Sequence, residues 1–265
     1  MEIVAPIRSD PRHILWQLVR GAMPGFTDED SGRTGWVRMS HRGVQFLDRI
    51  TIPRKQKTYI FDPKWDIRFN TAFEQVVRGC ADTARSSIQK RTGRTWISED
   101  LIRGLLRLHR MGYANSYEAW VGDELAGGVW GFQIGSYVSM NSMFHRVSNA
   151  SKAVFARAQL HLRDRGFTFV DMGAVVGHLV NFGMEWMPQW EFERVLQHMI
   201  ELNGPRITDD RPAHPAPWDI RMRLLLRRCG QAAWRRMQSV SQRVEEFRRR
   251  LSRGPRSIEP ARREA

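Results

Sequence analysis

The apolar positions of the chain change period twice, and the changes mark its organisation. From Ser9 the run SDPRHILWQLVRG opens on Ser and Asp cap residues, carries Pro11 in its first turn and stops at Gly21. That pattern predicts a short helix. The acidic, turn-rich AMPGFTDEDSGRTG that follows predicts a surface loop. Between Gly35 and Phe61 the short runs WVRM, VQFL, ITI and TYIF are β-prone and separated by turn residues. Together these segments predict a small N-terminal α/β subdomain over residues 1–68.

Helical spacing returns in NTAFEQVVRGC, where Ala72, Phe73, Val76, Val77 and Cys80 share a face and Asn70 is placed as the cap. In SEDLIRGLLRLHRMG, Ser98 and two acids in the first turn start a second helix with Leu101, Leu105 and Leu108 on one side. The centre, SYEAWVGDELAGGVWGFQIGSYVSMNSMF, then alternates in β fashion and breaks at Gly122-Asp123 and Gly135-Ser136. Two successive hairpins, an antiparallel meander, are expected. The helix ASKAVFARAQLHLRDRG, the buried strand FTFVDMG and the helix QWEFERVLQHMI follow. A meander followed by a strand, helix, strand crossover describes an α/β (α+β) domain with a mixed sheet and helices on its faces, expected over residues 69–202.

Past Asn203 the chain has a Pro-rich break, RPAHPAP, and then apolar residues every three or four positions from Trp218 to Leu251. This predicts a long amphipathic helical extension over residues 203–265, docked on the core or a partner rather than inserted in a membrane, with the last residues disordered.

Composition narrows the function classes. With 265 residues, of which 42% are apolar, the chain can bury a sizeable core. No run approaches the twenty or so apolar residues that span a bilayer, and the start has acids and a proline where a signal peptide is apolar; a cytoplasmic protein is expected. The only cysteines, Cys80 and Cys229, stand in no metal-ligand spacing and are read as reduced buried thiols, with no metal expected. The formal net charge of +14 favours a polyanionic partner. From Asn203 onward there are 16 Lys+Arg against 7 Asp+Glu, leaving 26 against 21 before it, so the excess sits in the tail. There it is carried by arginine, which pairs bidentately with phosphate.

The element order is that of acetyltransferase-like (GNAT) domains. Ordinary members of that fold grip a pyrophosphate with a glycine-containing loop at the start of the helix after the meander. Here that stretch is HRVSNASK, with no glycine, so coenzyme A is not expected. The segment Met140 to Lys152, MNSMFHRVSNASK, instead resembles GESMFSRxxNASK of the leucyl/phenylalanyl-tRNA–protein transferase family. Further stretches agree in the same order. GYANSYEAWVGDELAGGVWG resembles GHAHSxExWxxxELVGGxYG, and TWI (Thr95 to Ile97), Leu108-His109, Val170-Asp171 and His178 to Gly183 stand at matching distances. Upstream, RGAMPGF resembles RGIFPWF, and TAFEQVVRGCA resembles its counterpart before the TWI motif. The resemblance runs from about Pro11 to Glu193.

What the resemblance implies is transfer of an aminoacyl group, apolar and Leu/Phe-like, from charged tRNA to an amine, with no other cofactor. Trp96, in the matching TWI motif, is the position expected to stack on the terminal adenine, and Trp36 matches a second aromatic position. Met143 and Phe144 match the pocket-adjacent motif and alternate on a strand, so one should face inward. Arg146, Ser148 and Lys152 open a helix and are expected to hold a phosphate or the ribose end, Ser148 equally serving as a plain cap. Asp171 is the polar residue retained at a catalytic position, expected to orient or deprotonate the attacking amine. The chain departs where Asn141 replaces the acid of GES, Gly173 the glutamine of IDxQ, and Gly25 the tryptophan of FPWF. A neutral Asn141 weakens selection of a basic acceptor, so three outcomes stay open: a protein or peptide N-terminus, a small-molecule amine, or a tRNA-binding protein without catalysis. Deleting the chain after Asn203 should lower both tRNA affinity and the slope of its salt dependence, measured by binding titrations over a salt series; an unaltered slope makes the tail a packing helix.

Overall fold

Two glycines with positive φ, Gly122 (58°) and Gly135 (57°), close the hairpins that organise the centre of the protein. In the computed structural model, which describes residues 1–28, 32–82, 93–174, 177–201, 204, 205 and 207, they join β6 (Ala114–Val121), β7 (Glu124–Ile134) and β8 (Tyr137–Val138). A fourth strand, β9 (Ser142–His145), also pairs antiparallel with β7, from Gly127↔His145 to Trp130↔Ser142, and β5 (Asp66–Phe69) pairs with β6. The expected meander is present.

Helices cover both faces of this sheet, and side-chain alternation along β7 decides which residue meets which helix. A Cβ on Gly127 would meet Ala150 of α5 (Ala150–Asp164), whereas one on Gly128 would meet Val76 of α3 (Phe73–Asp82). The two small residues let both helices approach closely. On the α3 face also lies α4 (Glu99–Arg110), started by Ser98, whose side chain accepts from the Leu101 N–H. The α5 face is the main apolar cluster, with Val129, Val138, Met140, Ala153, Val154, Phe155 and Val170.

Strand β10 (Phe169–Gly173) follows α5 and lies in a second sheet, β10-β4-β11, with β4 (His41–Phe46) at its centre and β11 (Glu185–Pro188) on its other side. One parallel bridge, Ser139↔Asp171, links β8 to β10, and the Met140 N–H donates to the Asp171 carbonyl at 2.8 Å. The predicted crossover returns the chain there. A third sheet is N-terminal, ordered β1-β3-β2, from β1 (Glu2–Ala5), β2 (Met23–Asp28) and β3 (Arg33–Arg38). Helix α1 (Pro11–Val19) is capped by Asp10 as expected and packs on α7 (Gln189–Glu201), after the short α6 (Gly177–Val180).

Four expectations are corrected. Most of the loop after Gly21 is β2, paired with β3 from Met23↔Val37 to Asp28↔Arg33; as an edge strand it tolerates Pro24. TYIF is helical, the end of α2 (Arg54–Ile60), because the preceding RKQK run favours helix and only Ile60 must be buried. ITI forms no strand, and β11 was not foreseen. Asn70 is not a helix cap. It sits at φ 57°, accepts the Ser116 N–H at 2.9 Å and donates to Asn115 at 3.0 Å, tying the start of α3 to β6. The arginine-rich extension lies outside the described residues, apart from Gly204, Pro205 and Ile207.

The tightest backbone approach beside the bridge is at Gly131, where any Cβ would overlap the Ser139 carbonyl. Gly131→Ala should therefore cost more than the about 1–3 kcal/mol of ordinary overpacking, read as a lower urea midpoint.

Candidate active site

Arg42 on β4 and Asp171 on β10 are each 1% exposed and face each other in the second sheet. Arg42 Nε donates to Asp171 Oδ1 at 3.0 Å and Nη2 to Oδ2 at 2.9 Å, a bidentate pair. The Tyr137 hydroxyl on β8 donates to Oδ2 at 2.7 Å and the Gly173 N–H to Oδ1 at 2.8 Å. Each carboxylate oxygen thus receives two donors. The guanidinium also lies 4.6 Å over the Phe192 ring of α7. Burial pushes the Arg42 pKa down, but the Asp171 charge and its hydrogen bonds more than reverse that, so it is raised and the group stays charged. Burial first, then the adjacent Asp171 charge, push the Tyr137 hydroxyl well above its usual range, so it stays a donor.

A second polar group lies nearer the surface. Ser139, 3% exposed, accepts the Phe132 N–H at 3.0 Å and donates to Asn141 Oδ1 at 2.6 Å. Asn141 is half-buried, its own N–H held by the Trp130 carbonyl at 2.9 Å. The ring of Trp130 is fully buried and lies 6.1 Å from that of Trp96, which is half-buried. Asp171, Asn141 and Trp96, separate in sequence, are therefore joined through the Met140 N–H, bonded to the Asp171 carbonyl, and through Trp130. Beside them is a recess lined by Asn115, Tyr117, Val129, Val138, Met140 and Ile207. Three buried polar atoms of residues lining it, Asn115 Nδ2, the Tyr117 hydroxyl and Trp130 Nε1, have no hydrogen-bond partner among the described residues.

A site of this make-up, a half-buried amide beside an accessible aromatic ring with a charged pair behind, suits acyl transfer to an amine. Comparison with known proteins names the group. The family model for leucyl/phenylalanyl-tRNA protein transferase matches residues 44–197. Curated relatives called leucyl/phenylalanyl-tRNA–protein transferase include that of Gloeobacter violaceus, 36% identical, with 72% of this chain and 94% of the relative covered. That of Chlorobium limicola is 34% identical over 72% and 97%, and that of Shewanella baltica 31% over 78% and 81%. The chain belongs to the leucyl/phenylalanyl-tRNA–protein transferase family. Among solved structures, L-PGS from Bacillus licheniformis matches 58% of this chain and 55% of its own at 12% identity and a TM-score of 0.36, too loose to bear on the fold.

Against this transferase family the sequence-derived positions divide. Trp36 is withdrawn as an adenine platform, because it is 0% exposed in the middle of β3 and its face cannot meet a ligand. Phe144 is withdrawn as a pocket wall for the same reason: it is 1% exposed and packed under Gly79 of α3. Met143, on the opposite face, is half-buried against the α5 cluster. Ser148 is exposed and does not cap α5; the cap is Asn149 at φ 68°, without a side-chain bond to the helix. Arg146 is exposed and bonded to the Leu125 carbonyl at 3.3 Å, and Lys152 reaches Asn149 Oδ1 at 3.5 Å and lies 5.5 Å over the Tyr59 ring of α2. That contact sets Lys152 near the exposed Arg54, Lys55 and Lys57 of α2, which the motifs did not single out.

Asp171 does not stand free to meet an amine, because all four of its acceptor positions are used. Arg42 and Tyr137 were not foreseen either. Arg42 lies 129 residues from its partner, and one arginine among 42 basic residues carries no signal in sequence. Gly173 has its own explanation. Its φ of 73° turns its N–H back onto Asp171, and a Cβ would stand 2.9 Å from Met23 Cε. Glutamine at 173 is thus disfavoured by the backbone, whereas a Cβ on Gly25 would meet only Val37 at 3.8 Å. Arg42→Ala leaves a buried carboxylate without its cation and should cost about 3–5 kcal/mol, measured by urea denaturation against Asp171→Asn, which removes the charge instead. Equal small losses in both would mean that water already reaches the pair.

Proposed function

We propose that the chain transfers an amino acid, apolar and Leu/Phe-like, from aminoacyl-tRNA to an amine, forming an amide bond. Family membership supports the donor and the reaction; the join between Asn141 and Trp96 supports the site. The amine nitrogen attacks the ester carbonyl, the ester C–O bond breaks, and the proton released by the amine is taken up by the ribose hydroxyl that leaves. An N-terminal amine titrates near 7.7–8.0, so a useful fraction is already neutral at physiological pH and the step does not require a carboxylate in contact with it. What the protein supplies is alignment and stabilisation of the developing oxyanion.

In this reading Trp96 stacks on the terminal adenine, and Met143 with Val129 and Val138 contributes the apolar wall for the aminoacyl side chain. Arg146 and Lys152, with the basic residues of α2, take phosphates of the acceptor end. Asp171 acts from behind, through Tyr137 and Arg42. We read the architecture as acetyltransferase-like from the meander, helix and parallel return. The divisions 1–68, 69–202 and 203–265 are kept as proposed segments, although β4 and β5 of the first pair with strands of the second. No coenzyme is invoked, and a cytoplasmic setting follows from the donor. Among the described residues no helix is long and apolar enough to cross a membrane.

The acceptor is a protein or peptide N-terminus. A small-molecule amine is the second reading, favoured by the neutral Asn141 in place of the acid. Purified protein given radiolabelled leucyl- and phenylalanyl-tRNA should pass label to peptides with free N-termini. Trp96→Ala should weaken charged-tRNA binding by about 1–3 kcal/mol, roughly ten- to a hundred-fold. Label transferred only to small amines selects the second reading; binding without any transfer removes both.

A further inference from the structure

After α7 the chain returns to the central sheet, and three contacts fix it there. A Cβ on Gly204 would overlap the Gly135 carbonyl, so glycine is needed for the two backbones to lie this close. Gln133 Nε2, near the end of β7, donates to the Pro205 carbonyl at 2.8 Å. His161 Nε2 on α5 lies 2.8 Å from the Ile207 carbonyl, and because a carbonyl only accepts, that nitrogen carries the proton. The imidazole is itself held, stacked at 4.4 Å on Phe69 and edge-on to Tyr117 at 6.0 Å. With its backbone so fixed, Ile207 is 3% exposed, belongs to the apolar cluster of the α5 face and lines the recess with Tyr117, Val129, Val138 and Met140.

Resting on the transferase reading, in which Val129 and Val138 wall the aminoacyl side chain, we propose that Ile207 is a specificity-determining residue that closes this recess and sets the size of the side chain it accepts. The match to the family model ends at residue 197, so the matched segment supplies the hairpin walls and the continuation after it supplies another. A side chain too short for the space leaves lining atoms without contacts, and one too long overlaps them. Ile207 thus balances leucine against the longer phenylalanine. The anchors at Gly204, Pro205 and Ile207 matter because a wall that could retreat would not discriminate.

The test is the ratio of kcat/KM for phenylalanyl-tRNA to that for leucyl-tRNA, measured on the full chain with a peptide acceptor. Both substrates are assayed on one preparation, so partial loss of folded protein cancels. Ile207→Ala should raise the ratio roughly ten-fold or more, the scale on which an apolar pocket senses one methylene, and Ile207→Phe should lower it by a similar factor. Ile207→Val, the smallest truncation, should move it in the direction of Ile207→Ala by less. His161→Phe keeps the ring but loses the bond to the Ile207 carbonyl, and should also raise the ratio. Circular dichroism would show that each variant is folded. A ratio unchanged in folded Ile207→Ala, Ile207→Val and Ile207→Phe, or an equal loss of affinity for both charged tRNAs, overturns the role of Ile207 while the transferase reading stands. A folded wild-type protein that binds both charged tRNAs and transfers neither amino acid to any amine overturns the transferase reading, and this inference with it.

Discussion

The ion pair between Arg42 and Asp171 is the constraint on which the rest of this structure depends. Two charges taken out of water are costly unless each is fully paired and hydrogen-bonded, and here the surroundings satisfy that condition. Doing so requires a strand near the N-terminus, the short β8 of the second hairpin, the strand after the crossover and the ring of Phe192 in the last described helix to be in place together. The sheets are linked by one bridge at Asp171, so the backbone join and the charge pair coincide. Any loosening there would be felt at Asn141, because the N–H of the adjacent Met140 is bonded to the Asp171 carbonyl.

Local pattern was enough where local chemistry decides. The hairpins were legible from Gly122 and Gly135, and α4 from Ser98 and its acids, because turn and cap residues act within four positions of themselves. It failed where neighbours in space decide. The segment Met23–Asp28 looks like a loop until β3 pairs with it, and α2 looks like a strand because its β-prone residues follow a helix-favouring run. The site shows the same division. Asn141, Asp171 and Trp96 were found by resemblance to family motifs, which preserve residue type and order. Arg42, Tyr137 and Ser139 belong to no motif that was recognised and become visible only as partners. Trp36 and Phe144 show the converse, since an aromatic type says nothing about whether its face is open.

The departures from the family pattern also differ in kind. Asn141 occupies a position where an acid of similar shape would fit, so its neutrality is a matter of chemistry. Gly25 replaces a large aromatic ring without being forced to by a close neighbour. Gly173 is part of the backbone geometry that feeds Asp171 its fourth hydrogen bond.

That left-handed turn gives the chain a direction in sequence space. A single change restoring glutamine at 173 would meet Met23 and carry a backbone strain of about 1–2 kcal/mol, before any side-chain chemistry returned. The Met23 methyl is the far end of a flexible side chain and can move aside, so the obstacle is the turn itself, and flattening it removes the Gly173 N–H from the carboxylate. Position 173 is thus tied to the geometry of the ion pair, whereas the side chain at 141 is half-buried and carries no such tie to the backbone.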